Sequence, residues 1–201
     1  MDTTSSITTI LPVPEETARE VIGLFGDLSV RAEPLHAFPG KVSNDSACVL
    51  IVEGDVPNER IEEIAQAASD FLRPYALMAC VFKPASVYEE PEDSRIAIAM
   101  AKAAAEMVEK FQCGAPGGLD TMETVAQAVA TWDNLYGVSL LGVSDSWLKV
   151  HFATIPDDDD ALVSEIMELA PDIGTYAESA DEITAFVERL RTDRVAELYW
   201  M

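Results

Sequence analysis

Four consecutive aspartates, Asp157-Asp158-Asp159-Asp160, stand directly after Pro156 and are the most chemically suggestive residues of the chain. Clustered carboxylates suit a hard divalent cation, which takes oxygen ligands. Loop-type calcium motifs, however, alternate their ligands and carry a glycine for the turn. Here the acids are consecutive and a helical pattern begins at once, so acids complementing a helix N-terminus are the simpler expectation. Divalent-metal binding stays an alternative, and no metal ligands are nominated. The rest of the inventory is thin. His36 and His151 lie far apart, and neither Cys-x-x-Cys nor His-x-x-x-His spacing occurs. There is no Gly-x-Ser-x-Gly elbow and no dinucleotide fingerprint. The run Cys113-Gly114-Ala115-Pro116-Gly117-Gly118 lacks the Gly-Lys-Ser/Thr ending of a phosphate loop, and Asp120 and Glu123 occupy the helix start that follows it. No catalytic residue and no cofactor can be named.

Charge is more informative. The formal net charge is −23 over 201 residues. From Phe111 to Glu188 there are fifteen Asp and Glu, against Lys149 as the one basic residue. Such a field repels nucleic acid and anionic membrane surfaces. It attracts a basic protein and speeds the encounter. A non-enzymatic protein that binds a positively charged partner is therefore the first functional expectation. An immunity or inhibitor protein masking a basic protein is its concrete form. The binding residues would be Asp145, Asp157, Asp158, Asp159, Asp160, Glu178, Asp181 and Glu182, with Trp147 as an aromatic anchor. The alternative is a small enzyme or small-molecule binder with a site between two halves, drawing on Cys113, Trp132, Tyr136, His151 and Trp200.

These residues need a scaffold. A chain of 201 residues is one large domain or two smaller halves. No apolar run approaches the ~20 residues of a membrane span, and Met1–Ser6 does not resemble a signal peptide, so a cytoplasmic protein is expected. Cys48, Cys80 and Cys113 are an odd, widely spaced set, which fits reduced thiols; Cys48 and Cys80 fall in apolar strand-like runs and should be buried. Residues 1–11 read as a tail or short edge strand, and Pro14 opens a helix stopped by Gly26. Ala47–Val52 and Tyr75–Phe82 read as strands flanking a helix from Val56 to Leu72, either as a parallel crossover or with another strand between them. A polar connector from Lys83 to Asp93 separates residues 1–90 from residues 91–201. Asp93 or Ser94 should cap a helix running to about Gln112. Asp120 to Tyr136 follows as an amphipathic helix with Asp120 as its cap, then a hairpin from Val138 to Ala153 turning at Ser144-Asp145-Ser146. Two more helices and a short strand ending Tyr199-Trp200 complete the chain. The expected class is α+β, built as two packed halves, each a small sheet with helices on it. The second half is expected to be ferredoxin-like, and one continuous domain is the alternative.

The order of these C-terminal elements carries a resemblance. Trp132, Tyr136-Gly137, Trp147-Leu148-Lys149-Val150, Pro156, Pro171-Asp172-Ile173 and Tyr199-Trp200 together resemble a family of bacterial proteins, domain-of-unknown-function family 4253, over Met122 to Met201. The family pattern places a Cys before the Pro-Asp and an Asp after the closing aromatic pair, where this chain has Ala170 and Met201. The resemblance implies a fold and no activity.

Overall fold

The computed structural model describes residues 2–37, 46–83, 94–114, 119–171 and 180–200, and the chain divides into two compact units, Met1–Lys102 and Ala103–Met201. In the first, the elements are α1 (Thr3–Ile10), α2 (Glu15–Gly23), β1 (Ser29–Pro34), β2 (Ala47–Glu53), α3 (Asn58–Leu72), β3 (Leu77–Phe82) and β4 (Ser94–Met100). The strands lie in the order β1-β2-β4-β3, and each neighbouring pair is antiparallel. β2 and β3 thus run in the same direction with β4 between them, the split form of the strand–helix–strand unit. Every residue from Ala47 to Val52 is buried, as a continuous apolar run covered on both faces demands. On α3, Ile61, Ile64, Ala65, Ala68 and Leu72 form the buried stripe. Cys48 and Cys80 are buried, and desolvation pushes the Cys48 thiol up to about 12 and raises the Cys80 thiol strongly.

Two expectations fail here. The N-terminus is a helix, with Thr4, Ile7 and Leu11 buried at helical spacing; its Ser and Thr residues disguised the stripe. The helix expected from Ser94 to Gln112 is a strand followed by a shorter helix, α4 (Ala104–Phe111). Ile96, Ala97, Ile98 and Ala99 are all fully buried between β2 and β3, so tertiary pairing overrides the helix propensity of alanine.

The second unit continues from α4 with α5 (Leu119–Tyr136), β5 (Val138–Val143), β6 (Trp147–Phe152), α6 (Asp160–Leu169), α7 (Ala180–Asp193) and β7 (Val195–Tyr199). α5 begins one residue before Asp120. Gly137 ends the helix at φ 70°, and the Asp133 carboxylate accepts the Val138 N–H at 2.8 Å. β5, β6 and β7 form an antiparallel meander in chain order, not a ferredoxin-like arrangement. Leu148, Val150 and Phe152 face inward on β6, where Trp132 meets Phe152 edge-on at 5.8 Å. The described strands belong to one seven-stranded sheet, which corrects the expectation of a separate sheet in each half. Seven α-helices accompany it among the described residues. The class is α+β. No helix among the described residues is long and apolar enough to cross a membrane.

Candidate functional site

The chain leaving β6 is stitched to the end of α5. Tyr136 O accepts both the Thr154 N–H at 3.0 Å and the Thr154 hydroxyl at 3.1 Å, while Ala153 N–H donates to Gly137 O at 2.8 Å. This fixes Ala153 and Thr154, from which the chain runs into the aspartates before α6. Asp159 is the residue before that helix, yet its side chain makes no capping bond. Both its oxygens instead accept from Arg191 near the end of α7, Nε to Oδ2 and Nη2 to Oδ1, each at 2.8 Å. Asp159 is only 5% exposed, so a planar two-point match is what its burial requires. The hydrogen bonds from Arg191 hold the Asp159 carboxyl below the usual carboxylate range, and the same bonds raise the Arg191 guanidinium.

Arg194 closes α7 in the left-handed region at φ 56°. Its backbone carbonyl accepts the Phe152 N–H at 2.8 Å, and its Nη1 reaches back to donate to Ala153 O at 2.7 Å. Residues 154–157, Asp159, Arg191 and Arg194 together line a polar cleft of about 430 Å³, wholly within the second unit. Asp157, Asp158 and Asp160 are exposed, and Asp160 stands 3.7 Å from Arg191 as a looser second partner.

Residues 95–200 match the model of a family described as Domain of unknown function (DUF4253), 106 of the 201 residues. The chain belongs to the DUF4253 family. The DUF4253 segment starts in β4, well before the stretch from Met122 on which the resemblance rested, and it contains the whole cleft. No curated protein and no solved structure matches the chain.

The sequence-nominated residues of this DUF4253 protein do not form one patch. Asp157 to Asp160 cluster at the cleft. Asp145 and Trp147 sit at the β5–β6 turn, and β6 separates the two places by about 17 Å, five strand steps of ~3.3 Å. Trp147 is 4% exposed, with its indole N–H on Glu197 Oε1 at 2.8 Å and its ring over Gly142. It is a structural member of the β6–β7 face and offers no exposed anchor. Glu197 also accepts from Arg189 at 3.4 Å, and burial together with the Glu197 charge pushes the Tyr199 hydroxyl up. Asp145 is half-buried, with its carbonyl accepting the Gly114 N–H at 2.7 Å. Asp181 and Glu182 lie in the first turn of α7, where Glu182 is exposed. Glu178 falls outside the described residues. Cys113, Trp132 and Trp200 are buried in the second unit, with the Trp200 indole donating to Leu169 O at 3.0 Å. The aspartate run is not gathered around a point, and among the described residues no three potential ligands converge. Arg191 and Arg194 were missed. Their signal was present: Arg189, Arg191 and Arg194 are the first arginines after a long acidic stretch.

Proposed function

We propose that this DUF4253 protein binds a positively charged protein and does no chemistry of its own, as an immunity or inhibitor protein masking a basic partner would. The exposed face of α6 and its approach support the reading. Asp157, Asp158, Asp160, Glu165 and Glu168 are all exposed there, and α6 contains no basic residue. Arg191, the cation paired with this run, is already committed to Asp159 and to Asp160. Carboxylates without local counter-ions set up a field that accelerates association with a basic surface, and salt weakens it. Asp159 is not among the contact residues, because its carboxylate is buried and engaged.

The test is capture of a partner from native lysate at low and high salt, run beside a variant carrying Asp157→Asn, Asp158→Asn, Glu165→Gln and Glu168→Gln. The expected result is a stoichiometric basic protein retained by the parent at low salt, lost at high salt, and lost by the variant. A partner that the variant retains in full, or none at all, overturns the reading.

A further inference from the structure

The cleft beside Asp159 is lined by two exposed charged residues that have no ion-pair partner among the described residues. At its floor, Asp159 and Arg191 neutralise one another through two 2.8 Å hydrogen bonds. Arg194 is different. Its one side-chain partner among the described residues is the neutral carbonyl of Ala153, so its charge is unbalanced and Nε and Nη2 remain as donors. Asp157 is exposed, lines the same cleft, and has no cation within ion-pair distance among the described residues. The two do not pair with each other. Exposed Arg194, hydrogen-bonded to Ala153 O, and exposed Asp157 thus line one cleft of about 430 Å³, within the range of small-molecule sites. Ile155 and Pro156 supply an apolar portion of the wall.

That charge pattern selects its occupant. A simple anion attracted to Arg194 meets the Asp157 carboxylate, and a simple cation attracted to Asp157 meets Arg194. A molecule bearing both signs satisfies both groups. We propose that the cleft binds a small zwitterion of the α-amino acid class, with its carboxylate on Arg194 and its ammonium on Asp157. The guanidinium fork suits a planar carboxylate. The closed Asp159–Arg191 pair fixes the floor, and the Arg194 bond to Ala153 holds the fork in place before the ligand arrives, which limits the ordering cost of binding. The left-handed backbone of Arg194 is not the ground for this assignment, since Ala76 and Gln112 end other helical segments in the same conformation. The proposal goes beyond the partner-binding reading and does not depend on it.

Amide chemical shifts of the full chain, recorded by nitrogen–proton correlation NMR during titration with each proteinogenic amino acid, with acetate and with methylammonium, test this. At least one amino acid is expected to give saturable shifts confined to residues 154–159 and 191–194. Acetate and methylammonium each satisfy half the site and bind about tenfold more weakly or worse, because each forgoes one charge-assisted contact. Arg194→Gln and Asp157→Asn are each expected to weaken the amino acid by about tenfold or more, while Asp145→Asn leaves it unchanged. No saturable shift in the cleft with any amino acid overturns the proposal. So does acetate binding as tightly as the best amino acid, or affinity indifferent to Arg194→Gln in a variant whose far-UV spectrum is intact. Arg194→Gln removes no acid, so partner capture is expected to survive it, and the two readings fail separately.

Discussion

Gly142→Ala adds one methyl group and is expected to damage the second unit out of proportion to its size. A Cβ at position 142 would lie 2.1 Å from Cη2 and 2.4 Å from Cζ3 of Trp147. Carbon atoms rest at about 3.5–4.0 Å, so the ring or the strand must move by more than ~1 Å. The ring is not free to swing. It is 4% exposed, and its indole N–H is held by Glu197 at 2.8 Å. Backbone conformation is not the obstacle, because Gly142 is not among the glycines at positive φ. In open space the same change would stabilise by about 0.4–1 kcal/mol through the unfolded chain. Overpacking costs about 1–3 kcal/mol, and a weakened bond to a charged acceptor adds to it, so a net loss of about 2 kcal/mol follows.

For a chain of this length the thermal midpoint falls by about 4–8 °C, at ~2–4 °C per kcal/mol. Urea unfolding followed by far-UV circular dichroism gives the free energy directly. The decisive measurement is a double-mutant cycle with Trp147→Leu, which removes both clashing ring atoms. In that background Gly142→Ala is expected to be neutral or mildly stabilising, giving a coupling of about 2 kcal/mol. Additivity of the two substitutions within about 0.5 kcal/mol would refute the steric account.

Two further outcomes follow from the charges around α6. Asp159 has its folded pKa depressed below the ordinary 3.8 by the Arg191 hydrogen bonds, so its stabilising contribution is fully present above that value and is lost as pH falls through the lower folded one. Asp159→Asn is therefore expected to lower the urea midpoint by a constant amount from neutral pH down to about 5, with the gap to the parent closing below about 4; a gap that widens on acidification contradicts the pairing. Glu168 is exposed in the last turn of α6, where the dipole favours cations and no base is present. Glu168→Lys is expected to raise the thermal midpoint slightly while weakening capture of the basic partner. A fall in midpoint would show that the acid serves the fold.

What the sequence disclosed follows the range of the interactions involved. α3, the β5–β6 hairpin and the burial of Cys48 and Cys80 rest on local periodicity, and local periodicity is written in neighbouring residues. β4 depends on pairing with β2 and β3, and nothing within Ser94–Met100 distinguishes an alanine-rich buried strand from a helix face. Asp159 and Arg191 lie 32 positions apart on different helices, so no motif could announce their pair. Trp147 was expected to serve as an aromatic anchor, but it is buried. Its burial comes from Gly142 across the hairpin, a residue whose missing side chain makes the space. Arg194 needed both the fold of the α7–β7 corner and the path of Ala153 to become part of a site.

Two acids of α6, Glu165 and Glu168, are placed unfavourably for the helix itself. In the first unit three of the helical acids have cations at helical spacing: Glu15 with Arg19, Glu63 with Arg60, and Asp70 with Arg73. Such exposed pairs contribute little each, but they relieve like-charge repulsion on the helix surface. α6 has no such partner of its own. Asp160 at its start is favoured by the dipole, whereas Glu165 and Glu168 repel each other three positions apart and stand toward the end where the dipole favours cations. Helix physics alone would place lysine or arginine there. Arg191, which comes from α7, serves Asp159 first, at 2.8 Å, with Asp160 at 3.7 Å. Exposed carboxylates placed at the expense of their own helix are what the proposed binding of a basic protein would use.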